Sequence, residues 1–459
     1  MRILYLDLDS LRPDHLGCYG YHRNTSPNID KIAKEGVRFT NYYCSDAPCA
    51  PSRTALMTGQ FGIHNGVVGH GGTAGDIRIE GASRGTRGRL AEESLPGSLR
   101  QLGYQTASIS TFPERHGTWA FNAGFNEVFN IGEKGNESAE QVLPIALKWI
   151  EEHAGKDNWF LHLNFWDPHT PYRAPEEFGN PFEGEPIPEW LTEEVFALHK
   201  NKEGQHSIAD MNIHAKTYYA NWPRHQQKVE KYADLRTFLD HYDSAIRYMD
   251  DHIGRVFQLL EQIGVMEDTA ILISADHGEN MGELGIYSDH GTADEATCHI
   301  PMIFKWPTGK KGIVDNGLHY HLDLAPTLID LLGGDKAALW DGQSYVDTIV
   351  NGKSTARPYL VLSQCVHVCQ RSVRFDDWLY IRSYHDGHHG FEKEMLFHLK
   401  SDPHEQTNLA RERRDICETA AYLLLEWHDE MMSTMDYVVD PLWTVMQEGG
   451  PVIARGYEK

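Results

Sequence analysis

The sequence predicts an α/β fold with a large sheet-based domain and a smaller C-terminal antiparallel-sheet subdomain. Three apolar runs have the composition of buried strands, and each is followed by polar residues: 2–9, 159–165 and 269–275. Beyond about residue 345 the pattern changes to short alternating strands. We therefore expect the large domain over residues 1–345 and the C-terminal subdomain over 346–459.

Composition excludes several classes of protein. A chain of 459 residues can bury a large core, and its formal charge of −24 argues against general binding to nucleic acid or an anionic membrane surface. No apolar run is long enough for a signal peptide or a membrane span. We expect a cytoplasmic protein as written, or a periplasmic or secreted one if a leader has been removed. Seven cysteines without regular spacing do not indicate a disulfide framework.

Acidic residues mark the ends of two predicted strands. Asp7 and Asp9 close the first strand, and Asp276 with His277 follows the strand over 269–275. A carboxylate at the end of a buried strand is costly unless it meets a cation. In doubly wound folds such a cation lies at the carboxyl ends of the strands, so these side chains predict a metal site.

A short motif predicts a helix start built to bind an anion. It runs from Cys49 through Ala50, Pro51 and Ser52 to Arg53. Proline suits the first helical turn, so the side chain at position 49 would face free backbone N–H groups and the positive end of the helix dipole. Arg53, one turn later, can fold back and offer a planar charged fork to an oxyanion.

The motif, followed by Thr-Gly at 58–59, resembles the signature of the type I sulfatases in the alkaline-phosphatase-like superfamily. The stretch Leu16-Gly17-Cys18-Tyr19-Gly20 and the rest of the chain extend the resemblance from end to end. It implies a mixed, mostly parallel central sheet with helices on both faces. It also implies that a formylglycine-generating or sulfatase-maturating enzyme converts Cys49 to formylglycine, whose hydrate is the nucleophile.

The resemblance also implies the metal ligands, which would be Asp9, Ser10, Cys49, Asp276 and His277. Ser10 stands where the family usually has a second aspartate. A mostly oxygen shell favours Ca²⁺, while the imidazole leaves Mn²⁺ and Mg²⁺ open.

His169 follows the third predicted strand in a Pro-His-Thr-Pro setting that is similar to one in the family, near the leaving-group oxygen. A histidine suits protonation of a leaving group because its pKa lies near neutral pH. The alternative is a turn histidine that bonds to backbone.

Two departures from the family pattern concern the sulfate-binding lysines. Where the family has Gly-Lys-Trp-His, this chain offers Arg115 and His116 at a changed spacing. Where it has Gly-x-Trp-x-Lys, this chain runs from Gly285 to Asp289, and His290 is the nearest cationic candidate. These changes predict either a histidine-rich sulfate pocket, which would bind the anion through imidazolium groups, or a substrate whose own charge differs from the family norm.

Three polar regions could shape the substrate site, namely residues 64–89 with His70 and several arginines, residues 176–236, and residues 385–389. The segment Cys365-Val366-His367-Val368-Cys369 lacks a second ligand pair, so we expect a strand with buried cysteines there rather than a metal site.

The resemblance implies a sulfatase that hydrolyses a sulfate ester on a small sulfated substrate, namely a sulfated sugar or a glycosaminoglycan-type saccharide. The alternatives are a phosphonate monoester hydrolase or phosphodiesterase of the same superfamily, and a non-catalytic protein that binds sulfated glycans. The predicted catalytic residues are Cys49, Arg53, His169 and His116. The predicted substrate-binding residues are His116, Arg115, His169, His290 and His70.

Overall fold

The computed structural model describes residues 1–78, 90–208, 211, 222–226, 228–435 and 438–455. Within them the strands are β1 (Arg2–Leu8), β2 (Val37–Tyr43), β3 (Asp46–Ala47), β4 (Gln105–Ile109), β5 (Glu127–Phe129), β6 (Trp159–Phe165), β7 (Thr269–Ser274), β8 (Asn280–Met281), β9 (Tyr287–Asp289), β10 (Met302–Lys305), β11 (Ile313–Tyr320), β12 (Tyr359–Gln364), β13 (Cys369–Phe375), β14 (Trp378–His385) and β15 (Glu394–His398).

The α-helices of the same residues are α1 (Pro27–Lys34), α2 (Cys49–Thr58), α3 (Gly62–Asn65), α4 (Leu90–Glu93), α5 (Leu95–Gln101), α6 (Phe112–His116), α7 (Ala139–His153), α8 (Glu193–His199), α9 (Tyr232–Ile263), α10 (Glu295–Cys298), α11 (Leu324–Leu331), α12 (Val346–Asn351), α13 (Arg414–Ser433), α14 (Pro441–Gln447) and α15 (Val452–Arg455).

Eight strands form the large sheet, in the order β11-β2-β10-β7-β1-β6-β4-β5. All neighbours are parallel except β10, which runs antiparallel to both β2 and β7. Helices α1 and α7 pack on α9, while α2, α5 and α11 pack on one another. The predicted mixed, mostly parallel α/β fold is therefore confirmed.

The three predicted apolar runs form the centre of this sheet as β1, β6 and β7. Their residues are buried along the whole length of β6 and β7. The register places Asp7 opposite Asn164 on one side and opposite Ser274 on the other, so the three strands end at the same edge. That edge is where the acidic residues of the sequence come together.

The second sheet is smaller and has the order β15-β14-β13-β12-β3. Its C-terminal strands are antiparallel, as the sequence predicted, and β3 joins in parallel from the segment just before Cys49. The predicted boundary at residue 345 stays a prediction.

The expected strand over 365–369 is only partly right. Cys365 and Cys369 are buried, but residues 365–368 form the connection between β12 and β13, and Cys369 begins β13. The register pairs Gln364 with Gln370, which leaves this connection as the tip of a hairpin. None of the described helices has the length and apolar composition needed to cross a membrane.

Candidate active site

The side chain of Cys49 lies at the first residue of α2, as the motif predicted. Gly59 ends the helix with φ 66°, a left-handed conformation that glycine adopts without steric cost. Cys49 itself is 1 % exposed. The start of α2 is therefore a buried helix N-terminus that faces the carboxyl ends of the central strands.

Arg53 contacts the strand-end carboxylates directly. Its Nε donates to Asp7 Oδ2 at 2.7 Å, and its Nη1 donates to Asp9 Oδ2 at 2.9 Å and to Asp276 Oδ2 at 2.5 Å. All four side chains are buried. The sequence predicted that Arg53 would fold back toward position 49. The structure adds that its fork is occupied by carboxylates, because they end on the same sheet edge.

Four side chains could hold a cation at this edge. Ligand atoms of Asp9, Cys49, Asp276 and His277 all lie within 4.8 Å of one another. His277 Nδ1 donates to the carbonyl of Gly278 at 2.8 Å, which leaves Nε2 free to face the Cys49 Sγ at 3.1 Å. A backbone contact of this kind fixes the tautomer of a metal-binding histidine.

Ser10, the fifth predicted ligand, lies at the same sheet edge, but its hydroxyl and its backbone N–H are hydrogen-bonded to neighbouring carboxylates. Its hydroxyl donates to Asp9 Oδ1 at 3.1 Å, and its backbone N–H donates to Asp276 Oδ1 at 3.2 Å. Its φ of 59° is uncommon for a residue other than glycine. Ser10 therefore orients the two carboxylates in this geometry.

The charges at this edge do not balance within the protein. Asp7, Asp9 and Asp276 surround one guanidinium, that of Arg53. Burial raises the pKa of Asp276, and the neighbouring carboxylates of Asp9 and Asp7 raise it further against the opposing effect of Arg53. An excess of buried negative charge with converging oxygen ligands fits a divalent cation.

The thiol of Cys49 is a poor nucleophile in this environment. Burial raises its pKa, and Asp9 and Asp276 raise it further, although Arg53 and Arg115 lower it. Since the thiolate is the reactive form of a cysteine, a cysteine nucleophile needs the opposite shift. The environment suits a neutral or modified side chain at position 49.

A pair of histidines and an arginine lie on the α6 side of Cys49. The rings of His70 and His116 are 4.6 Å apart, and His70 Nε2 is 3.5 Å from the backbone N of Ala50. Arg115 lies over the Trp166 ring at 5.1 Å and donates to the carbonyl of Lys134. The structure thus places all three predicted residues around the nucleophile position.

His169 and His290 also lie beside Cys49. Ligand atoms of the three residues lie within 4.8 Å of one another, and the two imidazole rings are 5.2 Å apart. His169 Nδ1 donates to the carbonyl of Thr170, so the predicted backbone contact and the predicted approach to the nucleophile occur together. His290 Nδ1 lies 3.4 Å from Glu279 Oε2.

The histidines differ from the expected imidazolium groups. Burial lowers the pKa of His169, with Arg115 and His290 adding to the effect. Burial also lowers the pKa of His116 and of His70, each helped by neighbouring histidines. These three rings are neutral near pH 7 in the free protein, so fixed positive charge comes from Arg53 and Arg115.

The sequence did not predict the partners of Asp7. This residue was expected among the acidic residues of the metal site, and in the structure it accepts from Arg53 and contacts His162 Nε2 at 3.0 Å. His162 belongs to no recognised motif. Its polar ring within the otherwise mostly apolar strand β6 was the only feature of the sequence that could have indicated a role. Arg84, Arg87 and Arg89 of the predicted polar region lie outside the described residues.

Comparison with known proteins agrees with this geometry. The sequence model of the sulfatase family matches residues 2–334, and a second model, described as N-sulphoglucosamine sulphohydrolase, C-terminal, matches residues 282–426. The first match covers well over half of the chain. The chain therefore belongs to the sulfatase family, a class of enzymes that hydrolyse sulfuric esters.

Individual relatives cover most of the chain. A choline-sulfatase of Rhizobium meliloti (strain 1021) is 28 % identical over 426 residues, 85 % of this chain and 78 % of its own length. An N-acetylglucosamine-6-O-sulfatase of Bacteroides thetaiotaomicron is 24 % identical over 481 residues, 89 % and 82 % of the two chains. The solved phosphonate monoester hydrolase of Silicibacter pomeroyi shares the fold, with a TM-score of 0.69, 19 % identity and coverage of 95 % and 96 %.

Proposed function

We propose that this protein hydrolyses the sulfate ester of a small sulfated saccharide, using formylglycine formed from Cys49 and a divalent cation. One observation carries this proposal: Cys49 begins α2 at the point where ligand atoms of Asp9, Asp276 and His277 gather within 4.8 Å. Oxidised and hydrated, this side chain would supply the nucleophilic oxygen that the protonated thiol cannot.

The donor set supports a cation held by Asp9, Asp276, His277 and the modified side chain. Ca²⁺ suits the oxygen ligands, and Mn²⁺ or Mg²⁺ would be accepted by a set that contains an imidazole. A bound dication would withdraw charge from the sulfate oxygens. Arg53 keeps the three carboxylates together, and Ser10 orients two of them.

The remaining polar groups would bind sulfate and assist the leaving alcohol. Arg115 supplies a fixed positive charge on the α6 side, and His70 and His116 supply neutral imidazoles beside it. His169 keeps its Nδ1 proton on the carbonyl of Thr170, so its Nε2 is the atom available for proton transfer at the ester oxygen. Burial lowers the pKa of His169, and an anion bound beside the ring would raise it again.

The proposal that the substrate is a saccharide depends on the relatives of the chain and not on a particular residue of the site. One of them is an N-acetylglucosamine-6-O-sulfatase, and the model matching residues 282–426 bears the name of an N-sulphoglucosamine sulphohydrolase. The second candidate function is phosphonate monoester hydrolysis, which the fold of the Silicibacter pomeroyi enzyme and the Asp276-His277 pair favour.

The deciding experiment measures two reactions side by side. Protein produced together with a sulfatase-maturating enzyme is assayed with 4-nitrophenyl sulfate, a panel of sulfated monosaccharides and a phenylphosphonate monoester. We expect sulfate release to exceed phosphonate release, with at least one sugar surpassing the aryl ester. Faster phosphonate cleavage would establish the second candidate, and binding of sulfated sugars without any turnover would establish a non-catalytic protein.

A further inference from the structure

A second group of polar side chains lies next to His290. We call Asp289, His206, His367 and His389 the Asp289 cluster. Asp289 Oδ2 lies 3.2 Å from His367 Nδ1, and the rings of His367 and His206 are 6.2 Å apart. Four separate stretches of the chain build it, two of them from the C-terminal part.

These stretches approach one another closely. A Cβ on Gly204 would lie 2.4 Å from His389 Nδ1, and a Cβ on Gly387 would lie 2.5 Å from the carbonyl oxygen of His367. Gln364 at the hairpin tip donates to the carbonyl of His290 at 3.0 Å. The cluster is therefore held in place by backbone packing and by a direct bond to the loop that carries His290.

The cluster continues from the nucleophile toward the alcohol half of a bound ester. His290 lies within reach of Cys49, its ring is 4.2 Å from that of His277, and the next ring outward is that of His367 at 6.2 Å. If His169 protonates the leaving alcohol, as proposed above, the ester oxygen of a sulfate at Cys49 lies on the side of His169 and His290. The group bonded to that oxygen would extend toward Asp289.

The cluster contains one carboxylate, that of Asp289, among three imidazoles. Asp289 takes the place at which the sequence comparison above expected a lysine, and it is 4 % exposed. Burial opposes its ionisation, but His206 and His367 lower the pKa of Asp289. Burial lowers the pKa of His389 to about 4, so this ring is neutral near pH 7. Among the described residues, no lysine or arginine forms an ion pair with Asp289.

We propose that the Asp289 cluster is the subsite for the alcohol half of the substrate, and that it binds an ammonium group placed near the sulfate ester. This inference rests on the proposed function and adds the substrate class. A buried carboxylate without a fixed cation attracts an ammonium group and repels a second sulfate or a carboxylate. The substrate is then an amino alcohol or amino sugar sulfate with a free amine, and not a polyanionic chain.

Two matched ester pairs test the charge. 2-Aminoethyl sulfate and n-propyl sulfate have similar sizes and differ by one positive charge. Glucosamine 6-sulfate and N-acetylglucosamine 6-sulfate also differ by one positive charge, which the acetyl group removes from the nitrogen. We expect at least about tenfold higher kcat/KM for the cationic member of one pair, the range of a charge-assisted hydrogen bond. A preference in the sugar pair indicates an amino sugar, and one in the small pair alone indicates an amino alcohol.

The variant Asp289→Asn should remove this preference, so that kcat/KM for the cationic ester falls to about the value for the neutral ester of the same pair. Asp341→Asn is the matched control, because Asp341 also contacts a histidine, His64, at 2.8 Å and lies in a different part of the fold. It should keep the preference. If Asp289→Asn does not fold, the wild-type comparison of the two pairs decides alone.

Binding separates this inference from the proposed function. Dissociation constants of the same esters are measured by calorimetry with Cys49→Ala and with Cys49→Ala/Asp289→Asn. If wild-type protein releases no sulfate but Cys49→Ala binds the cationic esters through Asp289, the subsite stands and the proposed function fails. Equal affinity for cationic and neutral esters, or an equal loss of both in Asp289→Asn, overturns the subsite.

Discussion

The two ends of α2 show what distinguishes a reaction site from a cavity. At its N-terminus Cys49 is almost fully buried among carboxylates whose charge exceeds that of Arg53. Beyond its C-terminus, about 14 Å away at 1.5 Å per residue, Thr58 lines a cavity of about 810 Å³. This cavity lies at the end of the helix without the motif.

The polar groups of that cavity are paired with one another. His64 Nδ1 lies 2.8 Å from Asp341 Oδ2, and Asp341 also accepts from the backbone N–H of Phe61. Trp340 Nε1 donates to the carbonyl of Glu93. Polar side chains lie at both ends of the helix, but within the described part of the chain three buried carboxylates around one guanidinium lie only at the Cys49 end. The following predictions test whether that difference decides function.

The largest expected effect belongs to position 49. Cys49→Ala should abolish turnover, since the proposed mechanism places the attacking oxygen on the side chain of residue 49, and should leave the fold intact. Cys417→Ala, which removes another buried cysteine in α13, should keep turnover. Sulfate release and thermal melting of both variants are the measurements. Turnover above trace level in Cys49→Ala would contradict the proposed mechanism.

The cation should be the next largest effect. Asp276→Asn removes one carboxylate from the site, so we expect at least about a hundredfold loss of turnover. Residues that only hydrogen-bond to a metal ligand already cost up to about that much when they are replaced. Calorimetric titration with Ca²⁺ and Mn²⁺ should show binding to the wild type and much weaker binding to the variant. Chelation should inactivate the wild type, and added metal should restore it. Full activity in metal-free protein would contradict the assignment.

Arg115 tests the source of fixed positive charge. Because the pKa of His116, His169 and His70 lies below its ordinary value, Arg115→Gln should weaken sulfate binding more than any single histidine variant does. We expect about a ten- to hundredfold rise in KM, the range of one charge-assisted contact. Steady-state kinetics of Arg115→Gln and His116→Gln provide the comparison. An equal or larger effect of His116→Gln would show that imidazolium groups hold the anion after all.

The structure also explains what the sequence could predict. Strand ends, the helix start at Cys49 and the metal ligands follow from local patterns, since each is set by a few neighbouring residues. The partners of Arg53 and the Asp289 cluster do not, because they join residues that are hundreds of positions apart. The sequence also predicted protonated histidines, and the structure differs for a similar reason. Burial and mutual proximity lower the pKa of these histidines, and both are properties of the folded chain.

A smaller effect concerns stability at the edge of the active site. Burial raises the pKa of Asp167 to about 7, and its Oδ1 accepts from the N–H of Ala139 at the start of α7. A carboxyl with a raised pKa in the folded state stabilises the fold fully below its unfolded pKa, and this stabilisation is lost as pH rises toward 7. Asp167→Asn should flatten the change of Tm between pH 4 and 8. An unchanged pH slope would contradict this account.

The smallest effect is expected at the cavity beyond α2. Asp341→Asn breaks the contact with His64 and should lower the free energy of unfolding by about 1–3 kcal/mol, the cost of a disturbed buried hydrogen bond. Turnover should stay at the wild-type level, because no group of this cavity reaches Cys49. Chemical denaturation and kinetics of the variant test both statements. A loss of turnover at unchanged stability would assign a functional role to the cavity.

The most direct test of the central claim relates chemistry at position 49 to activity. Preparations made with increasing amounts of a sulfatase-maturating enzyme are digested, and the fraction of residue 49 present as aldehyde is measured by peptide mass. Sulfate release per molecule should rise in proportion to that fraction and extrapolate to zero for unconverted Cys49. Equal activity in converted and unconverted protein would contradict the account.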